Sequence, residues 1–278
     1  MMTKILKLFP GANKKAFTLS YDDGVTQDRK LLEIFNRYNL KATFNLNSGI
    51  QGEEGSFTIN DIYIKRLDKE EIASLYKGHE IAIHGLTHLS FPDIPKELLV
   101  REVLEDKKNH EELLGHPVRG LAYPYGTYNE EVFKVLNSLG VAYGRTVNNH
   151  KSFRLPTNWL EWNPTAHHND PDLMKLAKTF VEGNPPGLQL FYLWGHSYEF
   201  DLDNNWNVIE DFCEYISNKK DIWYATNMEI RDYIEALDRL QFSAELTSVY
   251  NPSAISIWLE VSGNEMEIKP GEIKSLQQ

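Results

Sequence analysis

A single cysteine, Cys213, is the only thiol in this chain of 278 residues. No internal disulfide can form and zinc motifs built on paired cysteines are excluded, so any metal must be held by nitrogen and oxygen donors. Positive charge is also scarce: 29 Lys and Arg face 40 Asp and Glu, a formal net charge of -11. That balance repels a phosphate backbone, and no Lys/Arg stripe with interleaved aromatics offsets it, so nucleic acid is not an expected partner. The acidity is ascribed to solubility alone. Long apolar runs are missing as well. The start, Met1 to Pro10, has no uninterrupted apolar h-region, and no later stretch reaches the length of a membrane span, so no membrane partner is expected. The expectation is a soluble cytoplasmic protein, although a leader already cleaved would leave no trace. Repeats and low-complexity segments are absent, and 41% hydrophobic with 25% charged residues is ordinary for a globular chain.

What is present is alternation. Short apolar runs, at 16–21, 42–46, 80–84, 120–123, 141–145, 188–194 and 222–225, read as strands. Between them, 28–39, 68–77, 96–114, 129–139, 171–181, 208–218 and 228–240 carry apolar residues at helical spacing. Strands separated by helices imply βαβ units and a mostly parallel sheet, closed or open. Asp22, Asp23, His84, Tyr125 and His196 all fall at or just past predicted strand ends, where a (β/α) barrel gathers its chemistry. The fold class expected is therefore α/β, an irregular (β/α) barrel over residues 1–240. After Leu240, short alternating segments such as 255–261 and 265–268 predict a small β appendage over 241–278, packed on the barrel.

Two fragments carry the chemistry. Ser20-Tyr21-Asp22-Asp23-Gly24 ends one apolar run, and His84-Gly85-Leu86-Thr87-His88 ends another. Either alone has a bland explanation, a tight turn or a solvated histidine pair. Together, one aspartate and two histidines form a ligand set that zinc accepts while keeping a position open for water, and the other aspartate is left as a base. Gly85 and the strand-like Glu80-Ile81-Ala82-Ile83 place the two imidazoles on a strand-end loop rather than on a helix.

These residues resemble the motifs of the polysaccharide deacetylase family, carbohydrate esterases that include nodulation-type chitooligosaccharide deacetylases. Ser20 to Gly24 is similar to the first motif and His84 to His88 to the second. Ala122-Tyr123-Pro124-Tyr125-Gly126 resembles the third, and Leu190 to His196 the fifth. The likeness spans Ala16 to Ala236. It implies a barrel with fewer than eight strands and metal-dependent removal of an N- or O-acetyl group from a saccharide. It also implies roles: Asp23, His84 and His88 as ligands of one divalent ion, zinc or else cobalt, nickel or another, Asp22 as base, His196 as acid, and the Tyr125 N–H at the oxyanion.

Two departures stand out. Ala122 replaces the third motif's arginine, and Arg145, at the end of the next predicted strand, is the candidate to replace it. The fourth motif, an Asp with a nearby Trp that tunes the acid histidine, has no clear counterpart in 155–170, where Trp159, Trp162, His167 and His168 lie. Tyr123, Trp162 and Trp194 are the candidate substrate-binding aromatics. Rival readings are hydrolysis of a non-sugar amide or ester by the same groups, and a degenerate carbohydrate-binding protein. Oligomeric state stays open.

Overall fold

The computed structural model describes residues 4–277. In chain order its elements are β1 (Ile5–Leu8), β2 (Lys15–Asp22), α1 (Asp28–Arg37), β3 (Thr43–Leu46), β4 (Phe57–Ile59), β5 (Ile62–Ile64), α2 (Lys69–Leu75), β6 (Glu80–Ile83), α3 (Lys96–Leu114), β7 (Gly120–Ala122) and α4 (Glu130–Ser138). There follow β8 (Tyr143–Arg145), β9 (Ala166–His167), α5 (Leu173–Glu182), β10 (Gln189–Gly195), α6 (Glu199–Leu202), α7 (Trp206–Ile216), β11 (Ile222–Tyr224) and α8 (Asn227–Asp238). The tail contributes β12 (Gln241–Phe242), β13 (Ser248–Tyr250), β14 (Ile257–Val261), β15 (Asn264–Ile268) and β16 (Ile273–Ser275).

The main sheet runs β8-β7-β6-β3-β2-β10-β9, with β11 also against β2, and every pairing in it is parallel. One edge of β2 pairs with β10 along Lys15–Tyr21. The other edge is shared, β11 at Lys15–Phe17 and β3 at Ser20–Asp22. The sheet's ends meet across residues 162–167: Trp162 bridges Arg145, while Ala166 and His167 pair with Leu193 and Trp194. This is an irregular (β/α) barrel whose sheet has eight strands rather than the fewer than eight expected, the two-residue β9 among them.

Strict alternation along β2 explains its two faces. Phe17, Leu19 and Tyr21 point outward into a core with Leu31 and Phe35 of α1, Phe44, Phe191, and Phe212 of α7. The inward residues are polar: Thr18 hydrogen-bonds Asn227 at 2.8 Å, and Asn45 reaches Ser20 and Asp22 at 2.8 Å each. Each buried polar atom in such an interior needs a partner, because an unpaired one costs about 1–3 kcal/mol. At the floor, Glu80 accepts from Tyr143 Oη at 2.7 Å, Thr43 Oγ1 at 2.8 Å and the Met228 N–H at 2.8 Å. The last donor belongs to the first turn of α8, whose positive end faces the carboxylate. A capping box of Thr226 and Glu229 starts that helix.

The tail behaves differently from the expected appendage in one respect. β14 and β15 form an antiparallel hairpin, but β1 adds to it from the other end of the chain, so Ile5–Leu8 belong to this small sheet rather than to the barrel. Leu259, Val261 and Ile268 bury against Ile230, Tyr233 and Leu237 of α8. Full burial of each such aliphatic side chain is worth about 1.5–3 kcal/mol. Tyr233 fixes the alignment, donating to the Leu8 carbonyl at 2.7 Å and accepting from Trp258 N–H at 3.0 Å. Among the described residues no helix is long and apolar enough to cross a membrane.

Candidate active site

Consecutive strand residues point to opposite faces, yet Asp22 and Asp23 share one cavity. The reason is backbone: Asp23 leaves β2 at φ 80°, a left-handed conformation that turns its carboxylate back toward the barrel mouth. Gly24 follows at φ 63°, and a Cβ there would lie 2.9 Å from Leu46 Cδ2, so the turn requires glycine.

His84 and His88 lie on the loop after β6, not on a helix, with Gly85 at φ 77° and His88 at φ 61°. The loop is held from outside by α3. Asp106 accepts from the His84 N–H at 3.0 Å and the Ser48 N–H at 2.8 Å, and Glu102 accepts from Thr87 N–H at 2.8 Å and Thr87 Oγ1 at 2.7 Å. Glu102, Asp106 and His110 are all buried and four residues apart, a polar stripe on a core-facing helix.

This scaffolding brings the two fragments together. Asp23 Oδ1 is 3.9 Å from His84 Nε2 and 3.7 Å from His88 Nε2, and one donor atom from each of the three lies within 4.8 Å of the others. The His84 Nδ1–H donates to the Ala122 carbonyl at 2.9 Å, which leaves the Nε2 lone pair facing the cavity. Burial, then the neighbouring His84, lowers the His88 pKa to about 4, so this imidazole is neutral. Two imidazole nitrogens and an ionised carboxylate in reach of one point fit a zinc-like ion.

Each aspartate has its own buried arginine. Arg145, fully buried at the end of β8, places Nη2 on Asp22 Oδ2, while Asn45 Nδ2 donates to Oδ1. Arg66 is 4% exposed and donates from Nη2 to Asp23 Oδ1 at 3.1 Å and from Nη1 to Asn47 Oδ1 at 2.9 Å. Burial opposes ionisation of both carboxyls but loses to these cations and the histidines, leaving Asp22 below its usual pKa and Asp23 at about 2.

His196 stands opposite, just past β10. Its Nε2 is 3.8 Å from Asp22 Oδ2 and 4.0 Å from Asp23 Oδ2, and its Nδ1 is 3.3 Å from Glu199 Oε1. Burial disfavours the imidazolium, yet Glu199 and the two aspartates outweigh it and raise the pKa to about 9. Glu199 itself is held ionised, far below the carboxylate range, by its histidine neighbours.

Tyr125 sits at φ 56° with its ring 67% exposed and 4.6 Å from His88. Its N–H meets no acceptor among the described residues. Two of the aromatics expected to bind substrate do not reach the mouth. Tyr123 is 1% exposed, packed on Phe91, Tyr128 and Phe133 and hydrogen-bonded to the Leu160 carbonyl at 2.7 Å. Trp162 is also 1% exposed, edge-on to Tyr143, Trp159 and Tyr192. Both are core residues, because strand alternation and the 162–167 crossing turn them away from solvent. Trp194 is buried too, and the Arg145 guanidinium covers its ring at 4.6 Å. Among the described residues Tyr125, Tyr198 and Trp194 are aromatics beside the site, Tyr198 5.2 Å and Trp194 5.8 Å from His196.

A family model described as polysaccharide deacetylase matches residues 10–144. The peptidoglycan-N-acetylglucosamine deacetylase of Bacillus cereus is 28% identical over 131 residues, 46% of this chain and 54% of that protein. Residues 10–144 are thus similar to the polysaccharide deacetylase family. The chain spans about half the length of the curated relatives it matches. Solved structures extend the likeness over the barrel. A Mycobacterium smegmatis protein assigned to the polysaccharide deacetylases aligns at TM-score 0.58 and 17% identity, covering 84% of this chain and 94% of its own. The Xyl-CE4 domain of a multidomain xylanase from the hindgut metagenome of Trinervitermes trinervoides aligns at 0.53 and 16% identity, covering 81% and 93%. At such identities these likenesses speak for the fold alone.

Arg145, the expected stand-in for the third-motif arginine, lies against the Asp22 carboxylate. The carboxylate beside His196 comes from Glu199, three residues further on. It lies outside 155–170, where the resemblance places the tuning Asp, and its local signal is the His-x-x-Glu spacing of 196–199. Arg66 was missed as well, since it lies in an irregular segment between β5 and α2 with no motif around it.

Proposed function

We propose that the chain is a metal-dependent hydrolase that removes N- or O-linked acetyl groups from a saccharide. One observation carries this reading: Asp22, ionised by Arg145, and His196, charged beside Glu199, flank the Asp23/His84/His88 cluster with Nε2 and Oδ2 3.8 Å apart. A base and an acid thus stand side by side next to one ligand set.

Asp23, His84 and His88 would hold a single divalent ion, zinc by preference, with cobalt or nickel as substitutes. When bound, the ion supplies Lewis acidity that acidifies water and polarises the acetyl carbonyl. Asp22 takes the proton of the attacking water, and its arginine and Asn45 keep its lone pair aimed at the cavity. The Tyr125 N–H, held out by the left-handed turn, donates to the carbonyl oxygen as negative charge develops there. A donor of this kind contributes roughly 3–4 kcal/mol. His196 then gives its proton to the departing amine nitrogen or sugar oxygen as the C–N or C–O bond breaks, releasing acetate. Arg66 and Asn47 hold the ligand turn rigid. The exposed ring of Tyr125 offers a sugar a face to stack on. The Bacillus cereus relative's name supports an acetylated amino sugar as the substrate class.

The test pairs metal content, with and without chelator, with acetate release from acetylated chitooligosaccharides and acetylxylan. Stoichiometric metal with acetate release is expected. Metal without release from either sugar would move the assignment to a non-sugar amide or ester, and absence of both would leave a binding protein.

A further inference from the structure

A second group of potential ligands lies behind His196. His167 Nε2 is 3.0 Å and His168 Nε2 3.1 Å from the same oxygen, Glu199 Oε2, and donor atoms of the three lie within 4.8 Å of one another. That oxygen also accepts the His196 N–H at 3.2 Å. Glu199 Oε1 faces His196 Nδ1, so the carboxylate separates this cluster from the one at Asp23.

His168 is the independent sign that something belongs there. It is fully buried, stacked between Phe200 at 4.1 Å and Tyr21 at 5.7 Å; among the described residues its Nδ1 has no hydrogen-bond partner and its Nε2 faces only the Glu199 carboxylate, without a well-aligned hydrogen bond. Gly195 makes room for it, since a Cβ on that residue would lie 2.0 Å from His168 Nδ1. A buried imidazole seldom lacks well-aligned hydrogen bonds, and here its Nε2 shares one carboxylate oxygen with a second imidazole nitrogen. His167 and Glu199 remain partly exposed, which gives an ion a way in.

We propose that His167, His168 and Glu199 form a second divalent-cation site, selective for zinc-like ions through two imidazole nitrogens and one carboxylate oxygen. The site ties β9, the short strand that closes the barrel against β10, to the first turn of α6. Binding there therefore stabilises the closed barrel by mass action. The inference is independent of the proposed reaction.

Full-length chain stripped with chelator is titrated with Co²⁺ or Zn²⁺ and its bound metal counted. Wild type is expected to bind two equivalents. D23N/H88A keeps one of them, and Co²⁺ still raises its melting temperature. Adding H167A to that variant abolishes both the remaining ion and the thermal shift, and E199Q does the same. Affinity of the second site falls by more than the roughly 10–100-fold that loss of an outer-shell partner costs. H167A alone keeps one equivalent, at Asp23, His84 and His88. The proposal is overturned if D23N/H88A binds no ion while remaining folded by circular dichroism, or if its ion survives both H167A and E199Q. Metal retained by H167A but without acetate release would count against the deacetylase reading and leave this site standing.

Discussion

Asp22 and Glu80 project into the same barrel from opposite ends and are treated in opposite ways. Burial pushes both carboxyls toward the neutral form. At the mouth, Arg145 and the histidines reverse that push and Asp22 is held below its usual pKa. At the floor no cation faces Glu80 among its hydrogen-bond partners. It is met by Tyr143, Thr43 and the first turn of α8, and its pKa stays raised. The difference separates the carboxylate proposed to take a proton from one that clamps strands to a helix. The field around a carboxylate, more than its depth, distinguishes the two.

The comparison can be broken most severely at the mouth. D23N/H88A removes two of the three ligands facing the cavity. Acetate release is expected to fall below detection and the cation of that cluster to be lost, with circular dichroism unchanged. Next in size, D22N should lower turnover by roughly 10²–10⁴-fold, the usual worth of a positioned general base, while metal content stays at the wild-type level. Loss of metal in D22N would make Asp22 a ligand instead. The two arginines then sharpen the division of labour. R145A is expected to depress turnover more than metal affinity, and R66A to weaken metal binding by about 10–100-fold with a smaller change in turnover. Reversal of that pattern would exchange their roles.

Smaller effects come from pH. His196 must be protonated to serve as an acid and Glu199 helps hold its pKa up, so activity declines on the alkaline side as the proton is lost near pH 9. E199Q removes a negative neighbour and should move that limb to lower pH, as read from kcat/KM profiles. Smallest in activity is E80Q, expected to leave turnover within a few-fold of wild type. Its mark is on stability. A raised folded-state pKa contributes stability that is present below the unfolded value of about 4.5 and is lost as pH rises through the folded value. Melting temperature of wild type should drop across that window, and E80Q should flatten the slope.

The seven barrel strands that carry apolar runs were legible to within two residues, and Lys96–Leu114 was read without error, because alternation and helical spacing are strong local signals. β9 was not. It is two residues long in a Pro- and Asn-rich stretch, and its pairing depends on the barrel closing around it. The same cause hid the company of His167 and His168, which is set by the distant Glu199. β1 was lost because its partner, β14, lies at the far end of the chain. Site residues fared according to their surroundings. Asp22, Asp23, His84 and His196 lie at or just past strand ends, with His88 on the loop after β6, and meet as a group, whereas aromatic identity says nothing about direction, so the expectation that Tyr123 and Trp162 line the mouth fails.

The stripe of Glu102 and Asp106 on α3 sets a rule for change in this chain. A helix advances about 100° per residue. Deleting one residue within Lys96–Arg101 would swing both carboxylates off the loop they restrain and slacken His84 and His88 together, though neither histidine had been touched. Spelling in that stretch can drift; its length cannot.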